Sequence, residues 1–221
     1  MLIGILVFPG VQQLDLTGPF EVFASLPGAQ VALLWKNLQP IRSATGLILQ
    51  PTMTLENCPE LDVICIPGGS GTTALLQDLD VHDFIRRMAR TARFITAVCT
   101  GALVLGAAGV LHERRATTHW MSLDLLEKFG ATPVNERVVR DGNVITAGGV
   151  TAGIDFALTV VAELAGVAAA QEIQLMLEYA PAPPFDSGTP ATATAATLAG
   201  ARARLAATRM EREAVIAALG N

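Results

Sequence analysis

Arg93-Phe94-Ile95-Thr96-Ala97-Val98-Cys99-Thr100-Gly101-Ala102 is the stretch on which the fold turns. Arg93 to Val98 is rich in apolar and β-branched side chains and reads as a buried strand. Cys99 follows with no loop between, and the small residues Gly101-Ala102 open a helix that runs to Gly109. A strand that passes into a helix through one or two residues makes a sharp elbow and displays the residue at its corner. A thiol at that corner meets the positive end of the helix dipole, which predicts a lowered pKa and a reactive thiolate. A buried structural cysteine is the other reading of the same position.

Outward from the elbow, apolar runs alternate with helical patterns. Met1 to Phe8 reads as a first buried strand ending at Pro9-Gly10. A helix then begins near Asp15-Leu16-Thr17-Gly18-Pro19, with Pro19 expected in its first turn, where its missing N–H costs nothing. Gln30 to Trp35 reads as a second strand, Ile41-Arg42-Ser43 and Leu47-Ile48-Leu49 as a small hairpin, and Asp62 to Ile66 as a central strand ending in Pro67-Gly68-Gly69-Ser70-Gly71. Asp80 to Arg90 is an amphipathic helix. Val138-Val139-Arg140 and Val144-Ile145-Thr146 flank the turn signal Asp141-Gly142-Asn143, and Gly148-Gly149 lead into a long apolar helix from Thr151 to Ala165. This alternation predicts an α/β fold with a mostly parallel sheet covered on both faces. A Pro-rich stretch from Pro181 to Pro190 and an Ala-rich segment from Ala193 to Leu219 follow, the latter helical by composition and able to pack on the domain or on a second subunit.

Composition narrows the class of protein. The chain has 221 residues, of which 51% are hydrophobic and 16% charged, enough for one large core. Its mean hydropathy is +0.46. The formal net charge of -5 points away from a nucleic-acid partner. The apolar opening is too short to span a bilayer and lacks a basic leader, so no membrane association is expected. Cys58, Cys65 and Cys99 are odd in number and have no metal-ligand spacing, so no metal site is expected and a reduced, cytoplasmic protein is.

Among the residues that could carry chemistry, Cys99 is the sharpest signal; Cys65 reads as core and Cys58 as incidental. Gly69 and Ser70 lie beyond the C-terminal end of a central strand, where open α/β sheets bind ligands, and backbone N–H groups there could stabilise negative charge. A turn that simply needs glycine is the competing reading. Asp15 is a helix cap, a proton carrier for the thiol, or both. His82 and His112 read as surface residues, and His119 as packing against Trp120 or approaching the cysteine.

These motifs converge. Asp15-Leu16-Thr17-Gly18-Pro19-Phe20-Glu21-Val22-Phe23, Ile66-Pro67-Gly68-Gly69 and Ala97-Val98-Cys99-Thr100-Gly101-Ala102 together resemble the DJ-1/PfpI superfamily. Arg114-Arg115-Ala116-Thr117-Thr118-His119-Trp120 and Thr146-Ala147-Gly148-Gly149-Val150 extend the likeness, which covers Met1 to Pro190, including Pro183-Pro184-Phe185-Asp186. It implies a flavodoxin-like three-layer sandwich over residues 1–190, with 191–221 as a C-terminal helical extension of the same domain. It implies a homodimer, no cofactor, Cys99 as nucleophile and Asp15 as the acid near it. Many protease-like and deglycase-like relatives have histidine after the nucleophile, whereas this chain has Thr100. That departure matches the members that hydrate isonitriles to N-substituted formamides. A ligand sensor like those of AraC-type regulators, a hydrolase or deglycase, and an oxidation sensor built on Cys99 remain the alternatives.

Overall fold

The computed structural model describes residues 1–219; the last two residues of the expected extension lie outside the described residues. In chain order the elements are β1 (Leu2–Leu6), α1 (Gln13–Ala24), β2 (Gln30–Trp35), β3 (Ile41–Arg42), β4 (Ile48–Leu49), β5 (Met53–Thr54), β6 (Val63–Ile66), α2 (Thr72–Leu75), α3 (Leu79–Ala89), β7 (Phe94–Val98) and α4 (Gly101–Ala107). There follow β8 (Arg115–Ala116), a 3-10 segment (Trp120–Phe129), β9 (Thr132–Pro133), β10 (Val138–Asp141), β11 (Val144–Ala147), α5 (Ala152–Ala165), α6 (Val167–Met176) and α7 (Ala195–Leu219).

Seven strands form the central sheet in the order β10-β11-β7-β6-β1-β2-β5. All neighbours in it are parallel except the β10–β11 hairpin at one edge. The register is set by continuous apolar runs. Ile3 and Ile5 face Val63 and Cys65 on β6, which in turn face Phe94 and Thr96 on β7. A strand covered on both faces needs no polar alternation, and every residue of β6 and β7 is buried. Helices α1 and α5 pack on one face and α3 and α4 on the other, giving a flavodoxin-like sandwich.

Helix α1 departs from the expectation for Pro19. It starts at Gln13, so Pro19 lies inside it, in the second turn. The lost backbone bond is offset by packing. Helix α5 crosses α1 at Gly153, where an added Cβ would come within 3.1 Å of the Pro19 ring, and Gly18 faces Ile154 with similar closeness. Two glycines thus let the helices touch around the proline ring, and tertiary contact overrides the local preference.

Helix α7 packs back on the body. Arg209 forms a two-pronged ion pair with Asp124 of the 3-10 segment, at 2.7 and 2.6 Å. Ile216 is buried in the main core. No helix among the described residues is long and apolar enough to cross a membrane.

Candidate active site

Strands β1, β6, β7 and β11 all end on one side of the sheet, and the loops leaving them meet there. Cys99 sits at the corner between β7 and α4 with φ of +54°, in the left-handed region that non-glycine residues rarely adopt. The strain is held from several sides. Cys99 N–H donates to the carbonyls of Ala147 and Gly148, at 3.0 and 2.9 Å. The Thr118 hydroxyl donates to the Cys99 carbonyl at 2.6 Å.

Asp15 comes from the first turn of α1 and is completely buried. It does not cap its helix: Gln12 holds the cap position, and Asp15 Oδ2 instead accepts the Gly68 N–H at 2.9 Å. Asp15 Oδ1 has no hydrogen-bond partner among the described residues, and the Cys99 thiol lies beside the carboxyl. Gly68 is what allows this closeness. A Cβ there would stand 2.7 Å from Asp15 Oδ2 and 2.8 Å from the Cys99 Cβ.

Both titrating groups are pushed up. Burial raises the Asp15 carboxyl to about 7, against the bonds from Gly68 and Cys99. Burial also raises the Cys99 thiol well above its ordinary value; the Asp15 charge adds to the rise, and hydrogen bonds from Thr100 oppose it. The expected fall in thiol pKa is therefore reversed. Helix α4 has seven residues, and its dipole does not outweigh desolvation beside a carboxylate. The resting pair keeps the proton on sulfur, with Asp15 poised to exchange it near neutral pH.

Stability should record this. The folded carboxyl holds its proton up to about 7 and the unfolded one only to about 3.8. Between these values the folded state binds more protons, so stability falls as pH rises through the window and is flat above it. The cost is on the order of 4 kcal/mol. Urea midpoints at pH 5 and pH 8 should differ in that sense for the wild type, and Asp15→Asn should remove most of the difference. An unchanged slope in the variant would put the effect elsewhere.

Thr100 Oγ1 accepts from Gly69 N–H and lies within hydrogen-bond distance of the Thr72 hydroxyl, both at 3.1 Å. The Gly69 N–H is therefore engaged by Thr100 and is not free for a ligand, contrary to the sequence-based expectation for that donor. Gly69, Ser70, Cys99 and Thr100 nevertheless line one cavity of about 360 Å³, a size suited to a small molecule. Asp15 stands behind Cys99 rather than in the wall. His119 joins the cavity, its Nδ1 accepting from Met121 N–H at 3.3 Å and its ring 5.5 Å from that of Trp120. His82 is buried rather than at the surface, its Nε2 2.8 Å from the Leu75 carbonyl. Cys65 is core and its thiol is raised to about 12 by burial. Among the described residues no cluster of three or more His, Cys, Asp or Glu could hold a metal ion.

Sequence reasoning missed the far wall. Leu205, Thr208, Arg209 and Arg212 of α7 reach over the cavity. Their spacing of three, four and seven is the stripe of one helical face, a signal present in the Ala-rich tail.

The family model described as DJ-1/PfpI family matches residues 1–163. The chain belongs to the DJ-1/PfpI family. It is 63% identical over 204 residues to an isonitrile hydratase from Pseudomonas putida, covering 92% of this chain and 90% of that one. A crystal structure of a ThiJ/PfpI family protein from Pseudomonas syringae, 43% identical, superimposes with a TM-score of 0.94 over 97% of this chain and 90% of that one. Drosophila melanogaster DJ-1beta, 24% identical, shares the fold with a TM-score of 0.75 over 81% of this DJ-1/PfpI chain and 98% of its own.

Proposed function

We propose that this DJ-1/PfpI protein adds water to isonitriles, giving N-substituted formamides through a covalent bond to Cys99. The observation that carries the reading is the 63% identity to an isonitrile hydratase along nearly the whole chain. The buried thiol–carboxyl pair supplies the chemistry such a reaction needs.

An isonitrile is electrophilic at its terminal carbon. Cys99 Sγ bonds to that carbon while Asp15 takes the thiol proton. Asp15 then delivers the proton to the same carbon, leaving a neutral thioimidate. Water adds to the thioimidate carbon while Asp15 takes one of its protons and passes it to the nitrogen, leaving a tetrahedral carbon that bears hydroxyl, amine and sulfur. The carbon–sulfur bond breaks as that hydroxyl becomes the carbonyl, its proton passes through Asp15 to the Cys99 sulfur, and the formamide leaves. A carboxyl that titrates near 7 suits both directions of transfer. Thr100 steadies the sulfur through its N–H and hydroxyl. The rim residues Gly69 and Ser70 contact the substrate. No cofactor enters this sequence of steps. Incubation with cyclohexyl isonitrile should release the formamide; a protein that leaves the isonitrile untouched would overturn the reading.

In this proposal the protein works in the cytoplasm, and residues 191–221 belong to the same domain as 1–190, because α7 supplies a wall of the cavity. It also works as a homodimer. Large apolar side chains such as Val167, Leu175 and Met176 are exposed on the single chain. Light scattering at micromolar concentration should give twice the chain mass of 23.1 kDa, and a clean monomer would remove this part of the proposal.

A further inference from the structure

The two arginines that α7 turns toward the cavity differ in one respect. Arg209 is neutralised by Asp124 and Glu213, each 2.6 Å away. Arg212 is 95% buried, since only 5% of its surface is exposed. Its Nη1 donates to the uncharged Ser122 Oγ at 3.1 Å, and its Nε has no partner. Among the described residues no carboxylate lies within ion-pair distance of Arg212, and none lines the cavity.

A buried guanidinium with no carboxylate paired to it is costly. Packing alone does not call for it, since a methionine would fill a similar volume. The charge is also permanent, because arginine keeps its proton in proteins. The helix that carries it is fixed by the Arg209–Asp124 pair one turn earlier, so the cation is held over the thiol rather than free to swing into solvent. A planar fork of N–H donors of this kind matches a carboxylate.

We infer that Arg212 recognises an acid group on the substrate, so that the isonitriles this cavity takes are isocyano carboxylates, with the reactive carbon at Cys99 and the carboxylate at Arg212. The inference rests on the proposed isonitrile hydration and names its substrate class. The alternative role for this cation is to steady the sulfur anion, because Arg212 and Cys99 interact through space. That role would act on every isonitrile alike.

The test compares isocyano carboxylates having one to four carbons between the two groups with their methyl esters, in wild type, Arg212→Gln and Arg212→Lys, following formamide release. Cyclohexyl isonitrile serves as the acid-free standard. In wild type the best acid should exceed its ester in kcat/KM by at least about thirtyfold, mainly through KM. In Arg212→Gln that ratio should collapse to about threefold or less, and Arg212→Lys should recover part of it. The wild-type comparison stands even if a variant folds poorly. A wild type that hydrates cyclohexyl isonitrile but prefers no acid of any length overturns the inference alone. So does a Gln variant that slows acid and ester equally, which would assign Arg212 to the sulfur. Failure to hydrate any isonitrile overturns the proposed function as well.

Discussion

Replacing Cys99 by alanine should lower formamide production by about four orders of magnitude or more, the scale seen when a covalent nucleophile is removed. The proposed route has no other atom able to form the bond to carbon: Cys65 is sealed in the core with its thiol raised to about 12, and Cys58 lies outside the cavity lining. Cys99→Ser should fare little better, because a hydroxyl gives up its proton far less readily than a thiol. Neither change should unfold the protein. Alanine and serine meet the same left-handed strain at φ +54° that cysteine does, so thermal melting should stay close to wild type. Cys65→Ser should lower the melting temperature, since it places a hydroxyl in an apolar strand, yet leave the rate per folded molecule intact. Intact-protein mass spectrometry during turnover should find the isonitrile mass on wild type and not on Cys99→Ala. If Cys99→Ala makes formamide at the wild-type rate, the covalent route is wrong.

Asp15→Asn should reduce turnover at least about a hundredfold, the lower end of what a lost acid–base group costs. The amide keeps an oxygen for the Gly68 N–H and nearly the same volume, so the elbow keeps its shape. What it loses is the ability to take a proton from sulfur and return it to carbon. The change also removes a carboxylate that burial disfavours, so the variant should melt at or above the wild-type temperature at pH 8. Activity and stability then move in opposite directions, which a damaged fold does not do. Asp15→Glu keeps the acid but drives an extra methylene against Gly68 and Cys99, and should lose both. A variant Asp15→Asn that melts normally and retains most of its activity would leave the relay to water or to His119.

Much of the frame was legible because parallel strands covered on both faces announce themselves as unbroken apolar runs. Val63 to Ile66 and Phe94 to Val98 could be read directly, and the elbow followed from the absence of any loop after Val98. Pro19 misled, because its tolerance depends on Gly153, more than a hundred residues away along the chain, at the crossing with α5. His82 misled because a polar residue on an amphipathic pattern gives no sign of the carbonyl waiting beneath it. Asp15 was found with cap and proton carrier both open, and the cap falls away: its partner is the Gly68 N–H, brought near only by the sheet order β6-β1. The thiol's pKa could not be read at all, since desolvation is a property of the assembled site. Arg212 escaped for a similar reason, its stripe having meaning only once α7 lies over Cys99.

That overlying helix has a consequence for how the protein is made. The elbow, the carboxylate behind it and the strand ends around it are complete once the chain has been synthesised to Thr151, whereas the covering helix begins only at Ala195. In the order of synthesis the residues of the elbow therefore precede the helix that covers them, and the thiol has no cover from α7 until residues 195–219 are made. A nascent chain in this interval is open to reagents too large for the cavity of the finished enzyme, where Cys99 is only 6% exposed. A pause in translation within the Pro-rich stretch before α7 would lengthen that exposure.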